Sequence, residues 1–517
     1  MLKPLRAGRN IARLCRIALT LARHDALFPL EGVPGAWPLL MLARLVPKRA
    51  QRRALRPGQR LTNALHALGP SFIKLGQMLS TRADLVGEEI AGDLSSLQDR
   101  LPPFPAEAAR VAIANGLGHP VEALYQSFET IPVAAASIAQ VHYAVTTEGA
   151  DVAVKILRPG IAEAFAHDLD LFLWVAGVVE RAQPALRRLK PVAVVNTLAE
   201  SVRLEMDFRF EAAAASELRE NLGEDPDFRV PAVDWQRTSR EVMTLERVAG
   251  IPIDERQVLI DAGFEPRAIL EKAARAFFKQ VFRDGFFHAD LHPGNLFVAP
   301  DGVIVAVDFG IMGRLDRRTR FYLADMLLGF LTGDYRRVAE VHFDAGYVPA
   351  RQSIDAFTQA CRSIGEPIFG RPMHEISLAR LLAQLFEITE QFEMETQPQL
   401  LLLQKTMLVA EGVGRILDPT VNMWALAQPL IEEWMRENRG IEARLADAAI
   451  NLVDTIERLP TLVRNFEKVV ADIAEEGVRL ETETRAALGE GRRSVIWLEL
   501  PLWLAALALL AIAAAMW

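Results

Sequence analysis

Cysteine is almost missing from this chain: Cys15 and Cys361 are the only two among 517 residues. They lie far apart and show no metal-ligand spacing, which excludes a disulfide framework and a cysteine zinc site and leaves two ordinary thiols in a reducing compartment. A secretory leader is not expected either, because arginines interrupt the early apolar stretches every three to seven residues. Residues 34–47 are apolar, but Pro34, Pro38 and Pro47 break them, and so short a stretch does not span a bilayer.

What is present is apolar and unevenly charged. The hydrophobic fraction is 51% and the mean hydropathy is +0.14, high for a freely soluble protein. The length allows two or three folding units. The net charge of −8 conceals thirteen Lys or Arg against Asp25 and Glu31 within residues 1–60, a local +11 that leaves −19 on the remainder. A basic arm on an acidic body argues against nucleic-acid binding and for an anionic lipid surface. Arg6, Arg9, Arg13, Arg16 and Arg23 recur among Leu, Ile and Ala at helical intervals, which reads either as an interfacial amphipathic helix or as a helix packed on the body.

The densest chemical signal is His288-Ala-Asp290-Leu-His-Pro-Gly-Asn295, with Asp308-Phe-Gly310 after it. An Asp and an Asn five apart, then a second Asp eighteen residues after the first, match the kinase catalytic loop and metal-binding motif. Phosphoryl transfer needs one carboxylate facing the attacking oxygen, assigned to Asp290. It also needs oxygen ligands that hold Mg2+ against the phosphates, assigned to Asn295 and Asp308. Pro293 and Gly294 turn Asp290 and Asn295 toward one centre. Two short apolar strands joined by Pro300-Asp301-Gly302 carry the chain between them. Helix 266–284 leads into the loop.

Upstream, Val152-Ala-Val-Lys155-Ile matches the kinase strand whose lysine contacts nucleotide phosphates. Kinases place a glycine-rich loop just before it. Here Ala134, Ala135, Ala136, Ser137, Ile138 and Ala139 occupy that place, and alanine restricts the positive φ and close phosphate approach that glycine permits. Glu246 and Val248 fall in the linker whose backbone would read an adenine edge. Further back, Pro70 opens a helix that presents Lys74 and Gln77 on one face. Residues 161–220 read as helical. Glu205 and Glu211 are six apart in this region, roughly 240° round a helix, so they cannot serve one lysine. Glu211 is assigned to Lys155 and Glu205 to Lys74, with the reverse pairing left open by the sequence.

Downstream, a protein kinase needs an activation segment ending in Ala-Pro-Glu as its peptide platform. Only Ile311 to Leu315 intervene before Asp316 caps a helix over about 317–333. Ala289 also replaces the arginine that would clasp an activating phosphate. Residues 334–480 read as helical. Residues 495–517 are apolar over 23 positions behind Arg492 and Arg493, enough for roughly 34 Å of helix, although Glu499 and Pro501 interrupt them.

Lys74-Leu-Gly-Gln77, the alanine loop with Gln140-Val-His142, the Glu205–Ala213 stretch, the 288–295 loop and Asp308-Phe-Gly310 together resemble the UbiB family over about residues 20–430. These are atypical kinase-like proteins linked to ubiquinone biosynthesis. The resemblance implies an α+β, two-lobed protein-kinase-like fold with a helical N-terminal extension and a C-terminal membrane helix. It implies ATP and Mg2+ as cofactors, ATPase activity, and an extension carrying Lys74 and Gln77 that covers the place where a peptide would dock, with Glu205, the partner assigned to Lys74, joining them as a regulatory residue. Isoprenoid quinone precursors or ubiquinone-pathway proteins would be partners, acting around ring hydroxylation. Anionic membrane lipids would join them, and a homodimer is compatible with this set. The body would lie on the cytoplasmic side of a bacterial inner membrane. The expected divisions are 1–103 for the basic extension, 104–247 for the small lobe, 248–480 for the helical large lobe and 495–517 for the anchor. One outcome is expected from the loop. Changing Ala134, Ala135 or Ala136 to glycine restores backbone freedom and should change ATP affinity or promote phosphoryl transfer. Nucleotide titration and turnover assays check this, and unchanged values in both count against the placement of the loop.

Overall fold

The computed structural model describes residues 3–28, 41, 55–80, 86–94, 97, 101–182, 190–367, 384, 387–394, 397–420 and 423–439. The apolar stretch 495–517 lies outside them. Among the described residues no helix is long and apolar enough to cross a membrane. The chain separates into a compact unit, Met1–Met435, and a second, Arg436–Trp517.

The extension comprises α1 (Lys3–Arg23), α2 (Pro57–Leu68), α3 (Pro70–Ser80) and α4 (Glu88–Leu94). Pro57 and Pro70 each start a helix, where a missing N–H costs nothing. Leu61, Leu65, Leu68, Phe72, Ile73 and Leu94 bury one apolar cluster between them. The later half of α1 packs against it through Ile17 and Leu21, and Ala26, just beyond the helix, belongs to it. Arg13 grips Asp168 with two hydrogen bonds of 2.9 and 3.0 Å and lies 5.7 Å from the Phe72 ring. This part of the basic helix therefore packs on the body.

After α5 (Ala106–Leu117) and α6 (Val121–Leu124) come β1 (Tyr125–Phe128), β2 (Ala134–Ala135), β3 (Ala139–Thr146) and β4 (Asp151–Leu157). These join a later strand, Val242–Glu246, in one antiparallel sheet in which β3 and β4 are central. Alternation decides what each face of β4 meets. Val152, Val154 and Ile156 pack toward α5. Lys155 emerges on the other face, toward α7 (Ile161–Ala182), α8 (Pro191–Glu205) and α9 (Phe208–Leu222).

The 161–220 region is not one continuous helix through the two glutamates. Glu205 ends α8, and Asp207 restarts the chain by accepting from Arg209 N at 3.2 Å as the cap of α9. The angular argument for a single helix therefore does not apply, and each glutamate is aimed by its own helix. Ala134 and Ala135, expected in a loop, are instead a short strand paired with Val141 and Gln140. Only Ala136 to Ile138 turn the hairpin, closed by Ala136 N to Ala139 O at 2.7 Å.

Beyond β5 (Phe228–Arg229), β6 (Val242–Glu246) and β7 (Ile251–Pro252), the large lobe is built on α10 (Arg256–Asp261) and α11 (Pro266–Phe278), the latter running into a π-helical turn over Lys279–Asp284. β8 (Phe286–His288) enters the loop, and β9 (Leu296–Val298) pairs antiparallel with β10 (Ile304–Ala306) as the apolar pattern required. β11 (Met312–Arg314) was not foreseen; it pairs with β8 and so returns the chain to the loop at once. Asp316 then caps α12 (Arg317–Thr332), accepting from Thr319 N at 2.7 Å. α13 (Tyr335–Asp344), α14 (Ile354–Gly365), α15 (Pro398–Leu417) and α16 (Met423–Arg439) complete the described helices.

Phe287 is fully buried in the large-lobe core, and its ring meets Phe277 edge-on at 6.2 Å. Phe287→Ala should cost about 3–5 kcal/mol, whereas Asp316→Ala, removing one exposed cap, should cost about 1 kcal/mol. Urea denaturation of both variants measures the contrast, and comparable losses would contradict this account of the core.

Candidate active site

Two lobes and the loop between β8 and β11 meet at Lys155. Its Nζ lies 2.7 Å from Glu211 Oε1 and 3.4 Å from Asp308 Oδ1, with the Phe208 ring 5.4 Å away. β4 supplies the lysine, the first turn of α9 the glutamate, and the end of the 304–306 strand the aspartate. Burial would strip the proton from Lys155, but the Asp308 and Glu211 carboxylates outweigh it and raise its pKa. Burial raises Glu211 to about 7, even against the opposing pull of Lys155. The charge of Lys155 holds Asp308 down at about 2. Asp308 adopts a left-handed backbone with φ of 64°, an uncommon conformation for a residue with a side chain. Gly310 N, 3.3 Å from Asp308 Oδ1, supports that turn.

The loop itself is organised around a buried imidazole. His288 receives Asp290 N on Nδ1 at 3.2 Å, so its Nε2 carries the proton and donates to Val307 O at 3.3 Å. Burial lowers the His288 pKa, consistent with a neutral ring. Gln280, on the π-helical turn, accepts from His288 N at 3.0 Å. The Pro293–Asn295 turn brings Asn295 round so that its Nδ2 donates to Asp290 O at 3.0 Å and to Asp290 Oδ2 at 3.3 Å. That orientation spends the amide nitrogen on Asp290 and leaves the amide oxygen for another partner. Among the described residues there is no cluster of three His, Cys, Asp or Glu able to hold a metal by itself. Asn295 and Asp308 suit a hard cation whose remaining ligands come from phosphate oxygens, the usual arrangement for Mg2+.

The structure also brings Lys74 Nζ to 2.8 Å from Glu205 Oε2, joining α3 of the extension to the end of α8. Gln77 points elsewhere, with Nε2 3.5 Å from Leu97 O. Ser137 is fully buried, while Ala134 is exposed at the lobe edge. Glu246 is exposed at the end of β6 and accepts from Ala232 N at 3.2 Å; Val248 is half-buried just beyond it. The turn that replaces a glycine loop is held from outside. Arg158 Nη2 donates to Pro102 O at 3.0 Å and to Ala136 O at 3.4 Å, and its guanidinium covers the Phe104 ring at 5.3 Å. Gln140 exchanges two hydrogen bonds with the Phe104 backbone, at 3.0 and 3.3 Å.

Sequence reasoning gave no role to Gln280 or His288. The available signal was slight: an uncharged Gln280, next to Lys279, set between Phe277-Phe278 and Val281-Phe282.

Comparison with known families matches residues 96–342 to the ABC1 atypical kinase-like domain and residues 361–422 to the UbiB helical domain. A protein of Marinobacter nauticus named "Probable protein kinase UbiB" is 42% identical over 486 residues, 93% of this chain and 88% of that protein. Proteins of the same name from Xanthomonas oryzae pv. oryzae and Pseudomonas entomophila are 42% and 41% identical, over 88% and 89% of this chain and 84% and 86% of theirs. A Mycobacterium tuberculosis protein solved in complex with erythromycin is 28% identical, covering 72% of this chain and 95% of its own, at a TM-score of 0.49.

The Glu211 carboxyl gives the site a pH signature. Its pKa rises from 4.5 to about 7 on folding, so the folded state holds the proton more tightly and the contribution of Glu211 to stability falls as pH rises through that window. Glu211→Gln cannot titrate. Its Tm should therefore gain on wild type between about pH 5 and about pH 8, as read by calorimetry; a constant or shrinking difference would refute the assignment.

Proposed function

Because the chain belongs to the UbiB family of atypical kinase-like proteins, a family whose name ties it to ubiquinone biosynthesis, we propose that it is an ATP-binding, Mg2+-dependent ATPase. In this reading it acts at the membrane in support of quinone ring hydroxylation. The observation that carries the chemistry is the Lys155–Glu211–Asp308 triangle facing the Asp290–Asn295 loop. Lys155 would meet the nucleotide phosphates. Asp290 would orient the attacking oxygen. Asn295 and Asp308 would hold Mg2+, which supplies charge neutralisation at the phosphates when bound. Glu211, 2.7 Å from the Lys155 Nζ, holds that cation in place for the phosphates.

Two observations favour water or a small acceptor over a protein. β11 pairs with β8 directly after Asp308-Phe-Gly, and α12 begins at Arg317, leaving no peptide platform. The extension is fastened to the small lobe through Lys74–Glu205 and Arg13–Asp168. A membrane position is supported by the basic start of the chain and by the apolar 495–517 stretch behind Arg492 and Arg493, with the body on the cytoplasmic face of a bacterial inner membrane. The relatives' name favours a second reading, transfer to a protein.

In a strain deleted for this gene, wild type should restore ubiquinone, while Asp290→Asn should leave precursors short of ring hydroxylation. Full quinone levels with both Asp290→Asn and Asp308→Asn would reduce the protein to a scaffold. With purified protein, labelled γ-phosphate appearing on a defined polypeptide, and lost in Asp290→Asn, would establish the second reading over hydrolysis.

A further inference from the structure

Thr406 is fully buried in α15, inside a stripe of Leu403, Ala410, Val413 and Leu417 that faces the large-lobe core. A valine would fill the same volume there. A hydroxyl in such a place needs an acceptor, and its own helix provides one, Leu402 O at 2.8 Å, the usual back-bond of a helical threonine. Yet the Oγ1 is also 3.0 Å from Ala289 O, 117 residues earlier in the chain. Ala289 is itself buried, at 1% exposure. Its N–H donates to Ile311 O at 3.0 Å, in the segment just after Asp308-Phe-Gly. The residue immediately before Asp290 is thus held at its N–H by Ile311, between the metal-binding motif and β11, and at its carbonyl by the C-terminal helical region.

We propose that Thr406 is a positioning residue: through the Ala289 carbonyl it sets the orientation of the Asp290 peptide, coupling the helical segment matched at 361–422 to the catalytic loop. This rests on the functional reading above for its kinetic consequence, though not for its structural one. Without the hydroxyl the Ala289 carbonyl is left buried and unpaired, and the loop relieves that by turning away, taking Asp290 with it. Nucleotide contacts through Lys155 and Asp308 are untouched by the change, so the effect falls on turnover and not on binding.

The test uses full-length protein and two near-isosteric variants, Thr406→Val and Thr406→Ser. In the valine variant, amide hydrogen exchange across residues 288–296 should speed up, and ATP turnover should fall about tenfold while KM for ATP stays near that of wild type. Serine keeps the hydroxyl and should restore both. If valine prevents folding, Thr406→Ala, which adds no bulk, carries the same comparison. Exchange at the loop unchanged in the valine variant, or a serine variant as impaired as valine, overturns the proposal. Wild type that hydrolyses no ATP defeats the functional reading alone, and the exchange comparison still decides the role of Thr406.

Discussion

One ion pair sets the arrangement of this molecule. Lys155 is on a central strand with apolar residues packed on the opposite face, and without a carboxylate it would be an isolated cation in a poorly solvated place. Removing one partner of such a pair typically costs about 3–5 kcal/mol, because the other charge is then left uncompensated. Glu211 meets it at 2.7 Å from the first turn of α9, where the N-terminal end of the helix also favours a negative charge. That geometry requires α9 to start where it does. The break at Met206 and Asp207 is therefore part of the site, because it frees α9 to approach β4 at its own angle while α8 carries Glu205 to the extension.

Asp308 is the third member and the most exposed one. Its left-handed backbone points the carboxylate back at Lys155, and the buried Phe309 that follows locks the turn. His288 ties this turn to Asp290 through the Val307 carbonyl, so the two carboxylates are registered by a single neutral imidazole between them. A charged ring here would have two donors and could not accept from Asp290 N. Burial that keeps it neutral is thus what lets one side chain hold both halves of the loop.

The loop residues were legible from the sequence because their spacing reflects chemistry: Asp290, Asn295 and Asp308 recur at intervals that a short loop and hairpin impose. Lys155 was legible from its β-branched neighbours, and the helix start at Pro70 and the cap at Asp316 from local rules that need no tertiary context. What was hidden depends on distance in the fold. The separation of α8 from α9 turns on Asp207 capping backbone it also precedes, and nothing in the 3.6-residue pattern of 202–214 announces it. Ala134 and Ala135 read as loop residues because alanine has little strand preference, yet pairing with β3 overrides that. β11 is three residues long and exists only because β8 lies beside it. Gln77 shares a helix face with Lys74, but Leu97 O competes for its amide, a partner twenty residues away.

The join between the extension and the small lobe has a practical meaning for dissecting the molecule. A pair of prolines at 102 and 103 looks like a place to cut. In the structure the same stretch is a seam with stitches on both sides: Pro102 and Phe104 give their backbone to Arg158 and Gln140, and the Phe104 ring lies beneath the guanidinium. The Arg158 stitch continues to the Ala136 carbonyl, at the turn that stands where a glycine loop would be. Trimming the chain to its kinase-like body would unpick that hem and leave a buried glutamine and an arginine facing empty space beside the turn.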